Sequence, residues 1–197
     1  MERVKRYSRG IVLKNEQPEN IVDEMLSLWK KLDGHKLPVE KRKILFVGEE
    51  ISFASRYRVE HFREQLILRG YASRFIQMDQ AEKESLEEYE AIVLYRCSKL
   101  MEVEMLADRA KAAGIRVYYD IDDLVFDYEK IAGLHFLKGK EYSDFRTTAE
   151  RIHGCMEFCD GYITSTETLA GVLREEFSGK PVVINRNCMS MEMEILS

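Results

Sequence analysis

The stretch Lys43-Ile44-Leu45-Phe46-Val47-Gly48-Glu49-Glu50 decides the fold. Ile44 to Val47 is an unbroken apolar run that stops at a glycine. A strand covered on both faces reads this way, whereas a strand with one wet face alternates. Further strands read at Ser73 to Met78, at Ala91 to Tyr95 without polar interruption, and at Arg116 to Asp120, Gly161 to Thr164 and Pro181 to Ile184. Helical stripes lie between these runs. The first carries Val59, Phe62, Leu66 and Ile67 on one face, with Gly70 as its stop. The second has Val103, Leu106, Ala107 and Ala110 and ends at Gly114. Phe145, Ala149, Ile152, Met156 and Cys159 make a third, and Leu169, Val172, Leu173 and Phe177 a fourth, with Ser165 as N-cap. Apolar strands alternating with helices specify an α/β domain, and right-handed crossovers place helices on both faces. The expected architecture is a doubly wound, Rossmann-like parallel sheet of about six strands. Tyr128 to Ser143, which includes His135, reads as an irregular flap over the strand ends.

Upstream, Gly34-His35-Lys36-Leu37-Pro38 breaks the composition. It separates residues 1–42 from a domain spanning 43–197. In the first segment Ile21, Met25, Leu28 and Leu32 recur at helical spacing, with Pro18 to open the helix and Gly34 to close it. This added N-terminal helix either packs on the domain or offers a surface to a membrane or partner.

The 197 residues carry 30 Lys+Arg against 35 Asp+Glu, a formal charge of −5. That balance argues against a dedicated nucleic-acid binder, whose footprint is basic. Hydrophobic residues make up 45% of the chain, yet no apolar run approaches the ~20 residues that cross a bilayer. The start Met1-Glu2-Arg3-Val4-Lys5-Arg6 lacks the apolar core of a secretory signal. A cytoplasmic location follows, with the inner face of the membrane as a peripheral alternative. The four cysteines, Cys97, Cys155, Cys159 and Cys188, fit no zinc or redox spacing and read as reduced packing residues.

Ligands of open parallel sheets bind beyond the carboxyl ends of the strands. The loop that follows the first strand there holds one glycine, Gly48, and neither G-x-G-x-x-G nor a Gly-Lys-Ser/Thr ending. Dinucleotides and ATP in their usual positions are therefore disfavoured. Instead Ser55, Arg56, Tyr57 and Arg58 crowd the expected start of a helix, whose free N–H groups favour an anion. Pairing of these arginines with Glu49, Glu50 or Glu60 is the plainer alternative. Tyr95, Arg96 and Cys97 follow the third strand, and Asp120, Asp122 and Asp123 leave the fourth. Carboxylates this close need a cation or hydrogen-bond donors. They could bind a divalent metal, accept from sugar hydroxyls or from the first-loop arginines, or simply face water. Ser165, Thr166 and Glu167 follow the fifth strand, and Asn185, Arg186 and Asn187 the sixth. No Ser-His-Asp or Cys-His arrangement is apparent.

Five segments carry a resemblance to a known family: Ile44 to Gly48, Ser55-Arg56-Tyr57-Arg58-Val59, Tyr119 to Asp127, Thr164 to Ala170, and Pro181 to Asn187. In this order and spacing, residues 43–197 resemble the N-terminal domain of a group 1, family 4-like glycosyltransferase of the GT-B type. The most similar subset serves bacterial surface-polysaccharide assembly. The resemblance implies one half of a GT-B fold that holds a glycan or lipid-linked acceptor. The nucleotide-sugar would sit mainly on a C-terminal donor domain, with no further cofactor and no metal. It implies an acceptor side lined by Asp120, Asp122, Asp123, Tyr95, Arg96 and the first loop, Gly48 included. The three aspartates are the best catalytic candidates, and Arg56 and Arg58 could meet a phosphate. Ser165, Thr166, Glu167 and Asn187 fall on the family's recurring helix start and hinge. Glu49-Glu50 stands where many members have Gly-Gly. The sequence stops at Met193-Glu194-Ile195-Leu196-Ser197, before any donor-domain motif, so this length is expected not to transfer sugar alone. The alternative is a non-catalytic module of the same fold that binds carbohydrate or phosphate, or completes a cleft with a separate chain.

Overall fold

The computed structural model describes residues 43–49, 53–132 and 140–187. The N-terminal helix, Glu50, His135 and Cys188 lie outside the described residues, as does the middle of the expected flap.

All six strands form one sheet: β1 (Lys43–Gly48), β2 (Ala72–Gln77), β3 (Ala91–Tyr95), β4 (Arg116–Ile121), β5 (Gly161–Thr164) and β6 (Val182–Ile184). Their order is β2-β1-β3-β4-β5-β6, and every pairing is parallel. The expected Rossmann-like class is therefore present. The chain steps from β1 to β2 on one side, then returns past β1 to β3 and proceeds outward. That reversal makes the gap between the carboxyl ends of β1 and β3 the topological switch point.

The reversal also sorts the helices. Right-handed crossovers taken in opposite directions lie on opposite faces. Helix α1 (His61–Leu68), between β1 and β2, packs Phe62 and Leu66 with Val59 against Ile44, Phe46, Val93 and Tyr118. The helices α2 (Met101–Ala112), α4 (Lys140–Glu157) and α5 (Glu167–Glu176) follow β3, β4 and β5. They bury Val103, Leu106, Ile152, Met156, Leu169 and Leu173 on the other face, against Leu45, Val47, Ile92 and Tyr119. Between β4 and α4 sits the short helix α3 (Tyr128–Ala132), so the expected flap is partly helical. Its first turn is held by Asp127, which accepts from the Lys130 backbone N–H at 3.0 Å.

Three local expectations differ. Ile67 is 61% exposed, because Val59, Phe62 and Leu66 already fill the face of this stripe that meets the sheet and Ile67 falls a step round from it. The cap of α5 is Thr166, whose hydroxyl accepts from the Leu169 N–H at 3.2 Å; Ser165 instead donates to the Asp122 carbonyl at 3.4 Å. Cys159 lies just past the end of α4, although it is buried with the stripe it was grouped with. Gly70, with φ of 76°, ends the α1 region in the left-handed conformation that glycine adopts without strain. Cys97, Cys155 and Cys159 are all buried, and loss of hydration pushes their thiols upward.

Candidate functional site

The polar residues at the carboxyl edge are placed by strand alternation and by one irregular helix. Successive strand residues point to opposite faces. In register, Tyr95 of β3 stands beside Asp120 of β4, and Asp120 beside Ile163 of β5. Tyr95 and Ile163 belong to the α1-side core, so Asp120 projects to that same side.

Arg58 reaches it from a widened helical turn. The chain is helical at Phe53–Ser55, π-helical at Arg56–Glu60 and α-helical from His61. The His61 N–H bonds to the Arg56 carbonyl, five residues back. Such an expanded turn recurs at functional sites. Here it lets two consecutive residues, Arg58 and Val59, both face the sheet, each 1% exposed.

The Arg58 guanidinium donates to Asp120 through Nε–Oδ1 at 2.9 Å and Nη2–Oδ2 at 3.0 Å. Its Nη1 donates to the Asn185 carbonyl and, at 3.0 Å, to Asn187 Oδ1. The fork is dry: the two side chains are 0% and 2% exposed. Burial pushes the Asp120 carboxyl up to about 6, and the facing Arg58 pulls the other way. Arg58 thus does not turn towards solvent as an anion site. It meets a carboxylate from within the protein, one of the readings open for the aspartates. Glu60, one of the alternative partners, pairs with Arg63 at 2.9 Å. Glu49 spans the switch point, accepting from the Ser98 N–H at 3.2 Å and from its hydroxyl.

A second fork lies nearer the surface. Arg96 donates to Asp122 Oδ1 from Nε at 2.9 Å and from Nη2 at 2.6 Å, and also to Asp123. Arg96 is the one described non-glycine residue with positive φ, 49°. Three contacts hold the loop that imposes this turn. The Tyr119 hydroxyl donates to the Cys97 carbonyl at 2.6 Å, the Cys97 thiol donates to the Val47 carbonyl at 3.2 Å, and the Lys99 N–H bonds to the Arg151 carbonyl at 2.9 Å. The turn carries the Arg96 guanidinium over the Tyr95 ring, 5.7 Å from its centroid.

Of the residues singled out in the sequence, Arg58, Tyr95, Arg96, Asp120, Asp122, Asp123, Ser165 and Asn187 gather at this edge. Gly48 ends β1 beside them, and its lack of a side chain has a packing reason. A Cβ there would stand 3.1 Å from the Phe75 ring and 3.6 Å from that of Tyr95. Thr166 and Glu167 begin α5, where Thr166 serves the backbone and Glu167 lies 3.9 Å from Arg174. Ser55 is buried, Arg56 is exposed, and Tyr57 packs edge-on against the His61 ring at 5.1 Å. Asn185, named in the sequence only as following the sixth strand and given no binding role there, completes the Arg58 shell with its carbonyl, and its side chain is buried. Its place directly after a strand, ahead of a second asparagine, was the available signal.

Among the described residues, no group of three or more His, Cys, Asp or Glu side chains is arranged to hold a metal ion. Among them, too, no helix is long and apolar enough to cross a membrane. Neither a scan against protein-family models nor a search of curated proteins gives a match to this chain.

Proposed function

We propose that this chain is the acceptor-binding half of a glycosyltransferase that moves a sugar from a nucleotide-sugar to a glycan or lipid-linked acceptor. One observation carries the reading. The segments behind the family resemblance, scattered from residue 44 to 187, join at a single polar edge. Arg58 of the second segment pairs with Asp120 of the third. The same guanidinium holds Asn185 and Asn187 of the fifth. Ser165 of the fourth holds the Asp122 carbonyl, and the Asn185 N–H bonds to the Thr164 carbonyl at 2.7 Å. The first segment joins through Gly48, paired in register with Tyr95. Hydrogen bonds linking distant segments around the carboxyl edge of a parallel sheet fit a shared ligand-facing role.

The division of labour follows from charge. Arg58 organises the edge from inside. Arg96 and Asp122, partly exposed, and the exposed Asp123 are left to meet a saccharide. Transfer needs donor and acceptor held together. This length of chain therefore binds acceptor without turning over a nucleotide-sugar, and it works on the cytoplasmic side, where nucleotide-sugars are present.

Saturation-transfer NMR on the 197-residue chain tests this, with oligosaccharides, a short-chain lipid-phosphate-linked saccharide and nucleotide-sugars as probes. The expected result is saccharide contact that Asp122→Asn weakens, with no release of nucleotide from nucleotide-sugar. Contact by nucleotide-sugars alone, or turnover of one, would sink the proposal.

A further inference from the structure

The carboxyl edge holds three buried polar atoms that the ion pairs do not use: the Thr164 hydroxyl at the end of β5 and two that stand at the forks. The Tyr95 hydroxyl and the Asn185 side-chain oxygen have no hydrogen-bond partner among the described residues, and each residue is 3% exposed. Both stand at the forks. Asn185 gives its carbonyl to Arg58. Tyr95 lies beside Asp120 in register and beneath the Arg96 guanidinium. Tyr95 therefore has a member of the inner pair at its side and a member of the outer pair over its ring.

The remaining hydrogen-bonding capacity at the mouth is mixed. Asp122 Oδ2 and Asp123 Oδ1 take no part in the Arg96 fork, which leaves carboxylate lone pairs to accept. The Arg96 Nη1 group takes no part either, which leaves N–H groups to donate. The Tyr95 hydroxyl can do both. Charge then selects the ligand class. Two guanidinium groups face three carboxylates, so the cluster carries one net negative charge. A phosphate only accepts at its ionised oxygens and would meet that repulsion. A vicinal diol both donates and accepts, and brings no charge.

We infer that Tyr95, Arg96, Asp122 and Asp123 form a subsite for a neutral vicinal diol of a sugar ring rather than for a phosphate. The diol hydroxyls donate to Asp122 and Asp123 while their oxygens accept from Arg96, and the Tyr95 hydroxyl gains its missing partner beneath. This rests on the acceptor-binding reading and gives that site its ligand chemistry. It assigns any phosphate of a lipid-linked acceptor to a position away from these four residues.

The test is an NMR titration of the 197-residue chain that follows the Arg96 Nε–H and Tyr95 ring signals. The probes are methyl α-D-mannopyranoside, methyl α-D-glucopyranoside, inorganic phosphate and pyrophosphate, all at matched ionic strength. The expected result is movement of both signals with at least one glycoside and with neither anion. Tyr95→Phe keeps the ring and its packing and is expected to weaken the glycoside roughly fivefold to tenfold, the effect of one hydrogen bond. Asp123→Asn, at an exposed position, should weaken the glycoside and favour phosphate. Signals that follow phosphate or pyrophosphate, or that stay still with both glycosides, overturn the inference, as does glycoside affinity indifferent to both variants. The two proposals separate cleanly. If oligosaccharides bind but move signals elsewhere, the acceptor reading stands and this subsite falls. If the glycosides bind here while longer acceptors do not bind at all, the subsite stands and the acceptor reading falls.

Discussion

Asp120 and Asp122 leave the same strand two residues apart, and each faces an arginine fork, yet they belong to different physical regimes. Asp120 and Arg58 are 2% and 0% exposed, while Asp122 and Arg96 are 12% and 30% exposed. In the inner pair both ions have lost their water, so their hydrogen bonds must replace it in full. Four N–H groups of Arg58 are engaged for that reason, two on Asp120 and two on the chain after β6. The outer pair keeps part of its hydration and can exchange partners at little cost. Identical chemistry is therefore structural at one depth and available for recognition at the other.

The largest expected effect falls on the inner pair. Asp120→Asn leaves Arg58 charged and uncompensated in a dry site, and should cost about 3–5 kcal/mol in urea unfolding. The double variant Arg58→Met/Asp120→Asn should recover much of that loss, because no lone charge remains. A single-variant cost below about 1 kcal/mol would place this pair in the exposed class and erase the contrast.

Next comes pH. Burial raises the Asp120 carboxyl from 3.8 to about 6, so the folded protein binds that proton more tightly than the unfolded chain. The group's contribution to stability is therefore greatest at low pH and declines as pH rises from 3.8 to about 6, then stays level. Asp127 has the opposite sign: bonds from Lys130 outweigh its partial desolvation and hold its carboxyl below the ordinary range, so its contribution is lost as pH falls. Subtracting the pH profile of Asp120→Asn from that of the unmodified chain isolates the Asp120 slope. A difference profile that rises across this window would contradict the assignment.

The smallest effects belong to the outer pair. Arg96→Ala should change stability by no more than about 1 kcal/mol. Arg96→Gly removes the same side chain and also relieves the left-handed backbone. Its folded state should gain roughly 1 kcal/mol relative to the alanine variant. Thermal unfolding of the two variants side by side reads the difference. Equal midpoints would mean that the loop, not the residue, bears the strain at φ 49°.

The central strands β1 and β3 were legible because each carries a short unbroken hydrophobic run, whereas the edge strand β2 keeps one buried residue, Ile76. Helix stops were legible where glycine meets a positive φ, as at Gly70 and Gly114. Finer choices depended on neighbours. Ser165 and Thr166 are equally good caps by type, and the position of the Asp122 carbonyl decided between them. Ile67 is apolar and within the helix, but the rotation of α1 on the sheet leaves it outward.

The sequence by itself determined the α/β class, the parallel strands and the concentration of polar residues at their carboxyl ends, since these follow from local periodicity and the chirality of crossovers. It could not decide what Arg58 does. Its partners stand 62 and 127 positions away, and only the β2-β1-β3-β4-β5-β6 order and the π turn bring them together. Depth is likewise a tertiary property: Arg58 and Arg96 are alike in type, and the surrounding packing made one an internal tie and the other the rim of a candidate sugar subsite.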